Sequence, residues 1–507
     1  LSAGDGAVQS AGGLLGGSGA TITATGEEPL VDLYTSTLAV GDGFAVGLLG
    51  GSLTLAGPLL SSDSSTVTGG VLGLDGAQLV SNGTAPLLQF SGGSVATGAS
   101  QATVGARGSA DLNLAGGLLR GVGTTFSADL LLGLGDDGNL TSAAVISTGT
   151  GPLLQLESAA VSAWGVAGLW AGSSAELAGP LLDAFDSTIA LTSGPLLELS
   201  GSTLTSSGTE PLLGITAGQI TYSGFSPAVV HLRGGATGPS VVQLAGPLLL
   251  MSGVTLGGAG GPNALLGMGG GSSLTGSGTG ELVHLANLGP FDMDHPLVRL
   301  GESPIDPVTS ISNAGGLVKL DTTTLNAAGP VIQALRGALN LNTAPNPDPN
   351  VGAINLYQSA VTSMGPAFVL DRSDLTIHNG PLFSVTGGSV ANIGGDFARL
   401  LGESRLHVTN GPLISADGPG SAVNVAGALV NFQGLNNQVF IKNSVTPTQT
   451  VSSIPVSGSN ITIGPHPVLG GTIQAGTVPS GSNTLTINPG SSVIRTTNGG
   501  AVTITAP

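Results

Sequence analysis

The sequence predicts an all-β protein, an elongated parallel β-solenoid (β-helix) built from coils of about 15 to 20 residues. A short motif recurs at near-constant spacing, aliphatic and polar residues alternate around it, and glycine and proline are abundant. With 87 glycines and 30 prolines among 507 residues, helices are disfavoured, because an interior proline costs about 3 kcal/mol and a glycine about 1 kcal/mol. These observations together indicate stacked short strands.

The recurring motif is Gly-Pro-Leu-Leu or a close variant. Its clearest run is Pro180, Pro195, Pro211 and Pro227, in steps of 15, 16 and 16 residues by subtraction. Each unit contains two short apolar segments separated by Ser and Gly, which is typical of strand-turn-strand. One unit cannot bury its own apolar face, so we expect about 25 coils stacked at the inter-strand spacing of ~4.8 Å. Outside this run, the motif or a relative occurs at Pro58, Pro86, Pro152, Pro247, Pro381 and Pro412.

Alternation along the motif predicts which side chains point inward. In Pro-Leu-Leu-x-Leu the second and last leucines, such as Leu197 and Leu199, lie two apart and should face the core. The residue between them should face solvent, and Asp183 and Glu198 should then lie in adjacent coils. Because this outward column mixes both charges with amides, it predicts a solvated face rather than a repetitive binding site. Its members are Gln89, Gln155, Asp183, Glu198, His231, Gln243, His284, Arg299, Lys319 and Gln333.

Composition and charge narrow the class of protein. The 40% hydrophobic content with only 8% charged residues favours a packed core over disorder. The net charge of −18, from 29 acidic and 11 basic residues, argues against nucleic-acid or anionic-lipid partners. No stretch of 18 apolar residues occurs, so we expect no membrane insertion by this chain. The chain has no cysteine and begins at Leu1, and we expect a processed or partial product.

The repeat divides the chain into two predicted parts. Residues 1–430 form the solenoid, with insertions near 288–311 and 343–351 that we expect to leave the coil as loops. Residues 431–507 lack Pro-Leu-Leu and form a β-rich capping or assembly segment. This segment is either an irregular continuation of the solenoid or a small separate β-domain.

Two units carry a resemblance to a known class of repeats. Residues 20–26 (Ala-Thr-Ile-Thr-Ala-Thr-Gly) and 202–208 (Ser-Thr-Leu-Thr-Ser-Ser-Gly) each lead into Glu-Pro-Leu. In this repeat style the chain resembles the β-solenoid passenger domains of bacterial autotransporters and filamentous-haemagglutinin-type proteins. The resemblance implies a secreted or cell-surface bacterial protein, commonly an adhesin or a matrix component.

Acidic residues suggest two weak candidate sites. In the first insertion, Asp292, Asp294 and His295 have the side chains of a metal site or an acid/base cluster, although exposed carboxylates are usually only solvated. Asp136 and Asp137 lie in a Gly-Asp-Asp-Gly-Asn stretch that suggests either calcium binding or a simple turn. We expect no metal and no cofactor.

The predicted function is structural. Aromatic residues make up 3% of the chain and its acids are scattered, so paired carboxylates with sugar platforms are not evident and no enzyme is expected. A solenoid has two open β-edges. We therefore predict a non-enzymatic extracellular protein that assembles end to end with copies of itself into a surface or matrix filament. The alternatives are an adhesin rod that binds host or polysaccharide surfaces, and a polysaccharide-degrading β-helix enzyme.

Overall fold

The fold is a parallel β-solenoid of about 13 turns, which confirms the predicted fold class. The computed structural model describes residues 2–4, 7–9, 13–136, 138–258, 261–293, 295–301, 307–344, 352–442, 456–457, 460–463, 484–487 and 493–504. These residues contain strands and turns but no helix, and so no helix long and apolar enough to cross a membrane. The chain divides into two compact units, Leu1–Pro262 and Asn263–Pro507.

The first unit consists of short strands separated by tight corners. They are β1 (Ser2–Gly4), β2 (Ala7–Gln9), β3 (Leu15–Ser18), β4 (Thr21–Ala24), β5 (Val31–Tyr34), β6 (Thr37–Leu49), β7 (Ser52–Leu55), β8 (Leu60–Asp63), β9 (Thr66–Asp75), β10 (Gln78–Ser81), β11 (Leu88–Ser91), β12 (Ser94–Ala96), β13 (Ala102–Arg107), β14 (Ala110–Leu114), β15 (Leu119–Val122), β16 (Thr125–Ala128), β17 (Leu130–Leu134), β18 (Ala143–Ser147), β19 (Leu154–Glu157), β20 (Ala160–Ala163), β21 (Ala167–Trp170), β22 (Ser174–Leu177), β23 (Leu182–Phe185), β24 (Thr188–Leu191), β25 (Leu197–Ser200), β26 (Thr203–Ser206), β27 (Leu213–Thr216), β28 (Gln219–Tyr222), β29 (Val230–Arg233), β30 (Val241–Leu244), β31 (Leu249–Ser252) and β32 (Thr255–Gly258).

Four parallel ladders run through the first unit, and each turn adds one strand, or part of one, to every ladder. Ladder 1 contains β1, β5, β8, β11, β15, β19, β23, β27 and β31. Ladder 2 contains β2, β6, β9, β12, β16, β20, β24, β28 and β32. Ladder 3 contains β3, β6, β9, β13, β17, β21, β25 and β29, so the long strands β6 and β9 belong to both ladders 2 and 3. Ladder 4 contains β4, β7, β10, β14, β18, β22, β26 and β30.

The second unit has the same kind of construction. Its strands are β33 (Leu266–Met268), β34 (Ser273–Gly276), β35 (Val283–Ala286), β36 (Phe291–Met293), β37 (Val298–Leu300), β38 (Thr309–Asn313), β39 (Val318–Asp321), β40 (Thr324–Ala327), β41 (Ile332–Leu335), β42 (Gly337–Leu341), β43 (Ile354–Tyr357), β44 (Ala360–Ser363), β45 (Phe368–Asp371), β46 (Asp374–Ile377), β47 (Phe383–Thr386), β48 (Val390–Ile393), β49 (Ala398–Leu401), β50 (Arg405–Thr409), β51 (Ile414–Asp417), β52 (Ala422–Val425), β53 (Val430–Gln433), β54 (Gln438–Lys442), β55 (Val456–Ser457), β56 (Asn460–Ile463), β57 (Thr484–Ile487), β58 (Ile494–Thr497) and β59 (Ala501–Ile504). They form four parallel ladders, such as β36, β40, β44, β48, β52 and β59.

Each turn of the solenoid is longer than the coil that the sequence predicts. Leu182 in ladder 1 pairs with Leu213, which is 31 residues later by subtraction. Leu197, from the intervening Pro-Leu-Leu motif, lies instead in ladder 3 and pairs with Ala167 and Val230. Each turn therefore contains two of the 15–16-residue units, and about 13 turns replace the 25 predicted coils. Spacing alone could not show this, because the two halves of a turn carry the same apolar pattern.

The predicted inward leucines form the core. Leu197 and Leu199 are both 0% exposed, which confirms the predicted facing, and the first leucine of the motif, Leu196, is buried as well. The predicted outward column is not continuous, however. Asp183 lies in ladder 1 and Glu198 in ladder 3, so the prediction that they are neighbours is wrong.

Buried hydroxyl groups hold several of the corners. In the second unit, Gln358 has a left-handed backbone (φ 49°) and is followed by Ser359, which is 5% exposed. The Ser359 Oγ donates to the Tyr357 carbonyl (2.8 Å) and accepts from the Thr323 amide (3.0 Å), while the Ser359 amide donates to the Ser389 Oγ (3.0 Å). The hydroxyls therefore link one turn to the next. Similar corners in the first unit contain Ser36, Ser65 and Ser187.

Part of the first predicted insertion and the described strands of the C-terminal segment take part in the ladders. Within the first insertion, Phe291–Met293 forms β36 and pairs in parallel with β40, so this part is a strand and not a loop. Residues 345–351 of the second insertion lie outside the described residues. Beyond residue 431, β54, β58 and β59 pair in parallel with β50, β51 and β52. These strands favour an irregular continuation of the solenoid, while the boundary at residue 431 remains a prediction.

Candidate functional site

Two of the three residues in the first candidate cluster, Asp292 and His295, lie in the described part of the chain. Asp292 is exposed in β36, and its Oδ1 accepts a hydrogen bond from Asn326 Nδ2 (2.9 Å) on the neighbouring strand. His295 is half-buried, and Asp294 and Asp137 lie outside the described residues. No group of three or more His, Cys, Asp or Glu side chains in the described part of the chain is placed to hold a metal ion. Asp292 therefore has a hydrogen-bond partner on the neighbouring strand, and the cluster as a whole stays a prediction.

Asp136 closes its own turn. Its Oδ1 accepts from the amides of Gly138 (2.8 Å) and Asn139 (3.3 Å), and its Oδ2 accepts from Asn139 Nδ2 (2.6 Å). The Arg107 Nη1 lies 3.9 Å from Oδ2. The Asn139 side-chain hydrogen bond, with smaller contributions from these amides and Arg107, lowers the pKa of the Asp136 carboxyl. This arrangement agrees with the turn alternative.

A cleft of about 1050 Å³ lies on the outer side of ladder 3 in the first unit. Its floor is a column of glycines in register, each paired with the next across neighbouring strands. Because glycine has no side chain, the floor lies at the level of the backbone. The lining glycines of this column are Gly47, Gly73, Gly105 and Gly133.

Two aromatic rings lie on this glycine column. The Phe44 ring contacts the site that a Cβ on Gly73 would occupy, and the Trp170 ring contacts the corresponding site on Gly168. The Phe44 Cζ is 3.3 Å from the Cβ position of Gly105. Both rings are half-buried, so part of each remains accessible. The glycines are therefore what allows the rings to pack against the sheet.

Charged groups surround the cleft. The Asp75 Oδ2 accepts from Arg107 Nε (3.1 Å), and Arg107 also approaches Asp136. Asp129 lines the cleft from the other side, and burial raises the pKa of its carboxyl. No side-chain hydrogen bond or ion pair to this carboxylate occurs among the described residues. The described residues of the lining thus include three carboxylates and one guanidinium.

An ion-pair cluster follows the glycine column on ladder 3. In the strand register, Glu198 pairs with Gly168 on one side and His231 on the other. The side chains of Glu198 and His231 are buried, with 6% and 7% exposure. The prediction that these two residues face solvent is therefore wrong. Glu198 Oε1 accepts from Arg233 Nε (2.8 Å) and lies 3.8 Å from His231 Nδ1. Burial alone would raise the pKa of Glu198, but hydrogen bonds and charge from His231 and Arg233 outweigh it and lower the pKa.

Ladder 2 presents a face without formal charge, which we call the hydroxyl face. The face is built from eight successive strands, from β6 to β32. Each strand has a central aliphatic or aromatic residue, which is buried in all strands but β32, and an outward residue on either side of it. These outward residues are uncharged and are exposed or half-buried. At ~4.8 Å per step, seven steps make this face about 34 Å long. Its two columns are Thr37, Thr66, Ser94, Thr125, Ala160, Thr188, Gln219 and Thr255, and Ala39, Thr68, Ala96, Ser127, Ser162, Ala190, Thr221 and Gly257.

Comparison of the chain with protein-family models and with curated proteins finds no match. The parallel ladders agree with the coarser part of the resemblance noted from the sequence, which is a stacked solenoid of quasi-repeated units. That the chain is of the autotransporter or haemagglutinin type remains an expectation from the sequence.

The cleft and the hydroxyl face were not predicted from the sequence, although each corresponds to a recurring sequence pattern. The cleft floor corresponds to an aliphatic-Gly-aliphatic pattern that recurs every 26 to 35 residues by subtraction, as in residues 46–48, 72–74, 104–106, 132–134 and 167–169. The hydroxyl face recurs at the same long period. Searching with a period of 15 to 16 residues mixes two ladders, so neither pattern is visible.

Proposed function

We propose that this chain is a non-enzymatic extracellular structural protein that associates with copies of itself at a cell surface or in a matrix. The observation that supports the proposal best is the hydroxyl face, an in-register array of uncharged side chains on eight successive strands. The repeat-style resemblance to secreted bacterial passenger domains supports the location.

Charge explains why this face suits a second copy of the same chain. Two molecules of net charge −18 repel each other, and the repulsion is strongest where acidic surfaces meet. The hydroxyl face has no acidic or basic residue in either column, so two copies can meet there without placing like charges against each other. Small side chains such as Ala160 and Ser162 also allow close approach. End-to-end assembly, the mode predicted from the sequence, remains a prediction.

The test compares two pairs of substitutions with equal charge. Thr125→Glu with Thr188→Glu places two carboxylates on the hydroxyl face, and Thr21→Glu with Thr203→Glu places two on exposed positions of ladder 4. Light scattering and negative-stain microscopy of the full chain should show assemblies for the wild type and the ladder 4 variant. The hydroxyl-face variant should stay monomeric. Equal assembly of all three proteins, or a wild type that stays monomeric at high concentration, would overturn the proposal.

The non-enzymatic part of the proposal rests on the partners of the cleft carboxylates. Glycoside hydrolysis needs two carboxyl groups that flank the scissile bond. Asp75 is bound by Arg107 and Asp136 by its own turn. Asp129 is then the remaining carboxylate of the described cleft. Incubation with acidic and neutral polysaccharides should release no reducing ends, and turnover that disappears in Asp129→Asn would contradict this.

A further inference from the structure

We propose that the cleft on ladder 3 binds a short segment of an uncharged polysaccharide, with pyranose rings packed against Phe44 and Trp170. This inference concerns a different surface from the hydroxyl face and does not depend on self-association. It would give the chain a glycan-binding site in its first unit.

The shape of the cleft fits an extended, flat ligand. Its volume of about 1050 Å³ is slightly above the range of ordinary ligand pockets, which span roughly 300 to 1,000 Å³. Paired residues Gly105 and Gly133 lie on the floor between the two rings, because Phe44 Cζ is 3.3 Å from the Cβ position of Gly105 and Trp170 Cζ3 is 3.6 Å from that of Gly133. The ligand can therefore cross several strands while it contacts backbone and ring atoms.

The chemistry of the walls fits a sugar. A pyranose ring has apolar C–H faces that pack on aromatic rings, and hydroxyl groups at its edge that need polar partners. Phe44 and Trp170 supply the apolar surface. The carboxylate of Asp129, which has no side-chain partner among the described residues, supplies a strong acceptor for hydroxyl donors. The Asp75–Arg107 pair supplies both an acceptor and donors.

The charge of the cleft selects against anionic ligands. The described residues of its lining include Asp75, Asp129 and Asp136 against Arg107, a net charge of −2 by count. A uronate chain or a nucleic acid would place like charges in this partly desolvated space, which is costly. A neutral glycan gains the stacking and the hydrogen bonds without that repulsion.

The experiment is calorimetric titration of the full chain with hexasaccharides of β-1,4-glucose, α-1,4-glucose, β-1,4-mannose and N-acetylglucosamine. We expect at least one to bind. Trp170→Ala should weaken that binding by about tenfold or more, since it removes one stacking surface. Phe225→Ala, which removes an aromatic ring that is 73% exposed and does not line the cleft, should leave binding unchanged.

A second variant separates loss of the site from loss of the fold. A Cβ on Gly133, which lies on the floor between the two rings, has its nearest neighbours at 3.5 to 3.6 Å, which is ordinary van der Waals contact, so Gly133→Ile fills the cleft without a clash at its Cβ. It should abolish binding while the melting temperature stays unchanged. The proposal is overturned if no neutral hexasaccharide binds, if Gly133→Ile binds as well as the wild type, or if an oligogalacturonate or a glucosamine oligomer binds more tightly than every neutral one.

Discussion

At the residue scale, Glu198 shows how one side chain acquires a structural role from its neighbours. Glu198→Gln keeps the size of the side chain but removes the charge that Arg233 and His231 contact. Because the carboxylate is buried and accepts a charge-assisted hydrogen bond of 2.8 Å, we expect a loss of about 1–3 kcal/mol in the free energy of unfolding. Chemical denaturation at neutral pH measures it. Lys319→Gln, on a half-buried residue whose Nζ lies 4.0 Å from Asp321, should change stability by less than about 0.5 kcal/mol.

The same substitution predicts a pH dependence. The pKa of Glu198 is lower in the folded protein than its usual value of 4.5, so the folded state holds the charged form more strongly than the unfolded state does. The stabilisation is therefore complete above the unfolded pKa and is lost as pH falls through the folded pKa. The difference in stability between wild type and Glu198→Gln should shrink as pH decreases below about 4.5. A difference that stays constant from pH 7 to pH 3 would contradict the assignment.

At the element scale, the corners depend on hydroxyl groups that bridge turns. Ser359→Ala removes one acceptor of the Thr323 amide and one donor to the Tyr357 carbonyl. Because Ser359 is buried, water does not readily replace these bonds, and we expect a loss of about 1–3 kcal/mol in unfolding free energy. The control is Ser162→Ala, an exposed serine in the middle of a strand, which should change stability by less than about 0.5 kcal/mol. Equal effects would show that the corner hydrogen bonds contribute little.

The elements also show how far the sequence predicts this fold. Strand type, parallel stacking and the burial of Leu197 and Leu199 follow from local alternation and from the repeat. The length of a turn does not, because Leu182 and Leu197 carry the same motif but belong to different ladders. Once the turn length is doubled, the apolar-Gly-apolar column becomes visible in the sequence. The burial of Glu198 does not become visible, since it depends on cross-strand neighbours.

At the scale of the whole molecule, net charge and surface pattern act in opposite directions. The net charge of −18 favours separate molecules in solution, because like-charged chains repel each other. The hydroxyl face concentrates uncharged small residues on one ladder, which favours contact with a like surface. Association should therefore depend on how strongly salt screens the repulsion between the charged surfaces of two molecules.

Salt provides the test of that balance. The Debye length falls from about 30 Å at 0.01 M salt to about 3 Å at 1 M, so repulsion between acidic chains is screened while contacts between uncharged residues persist. Self-association through the hydroxyl face should thus increase with salt, and it should also increase as pH falls toward the isoelectric point near 4.3. Analytical ultracentrifugation across both series measures it. Assemblies held by ion pairs would instead dissociate as salt rises, and that result would place the contact on charged surfaces rather than on ladder 2.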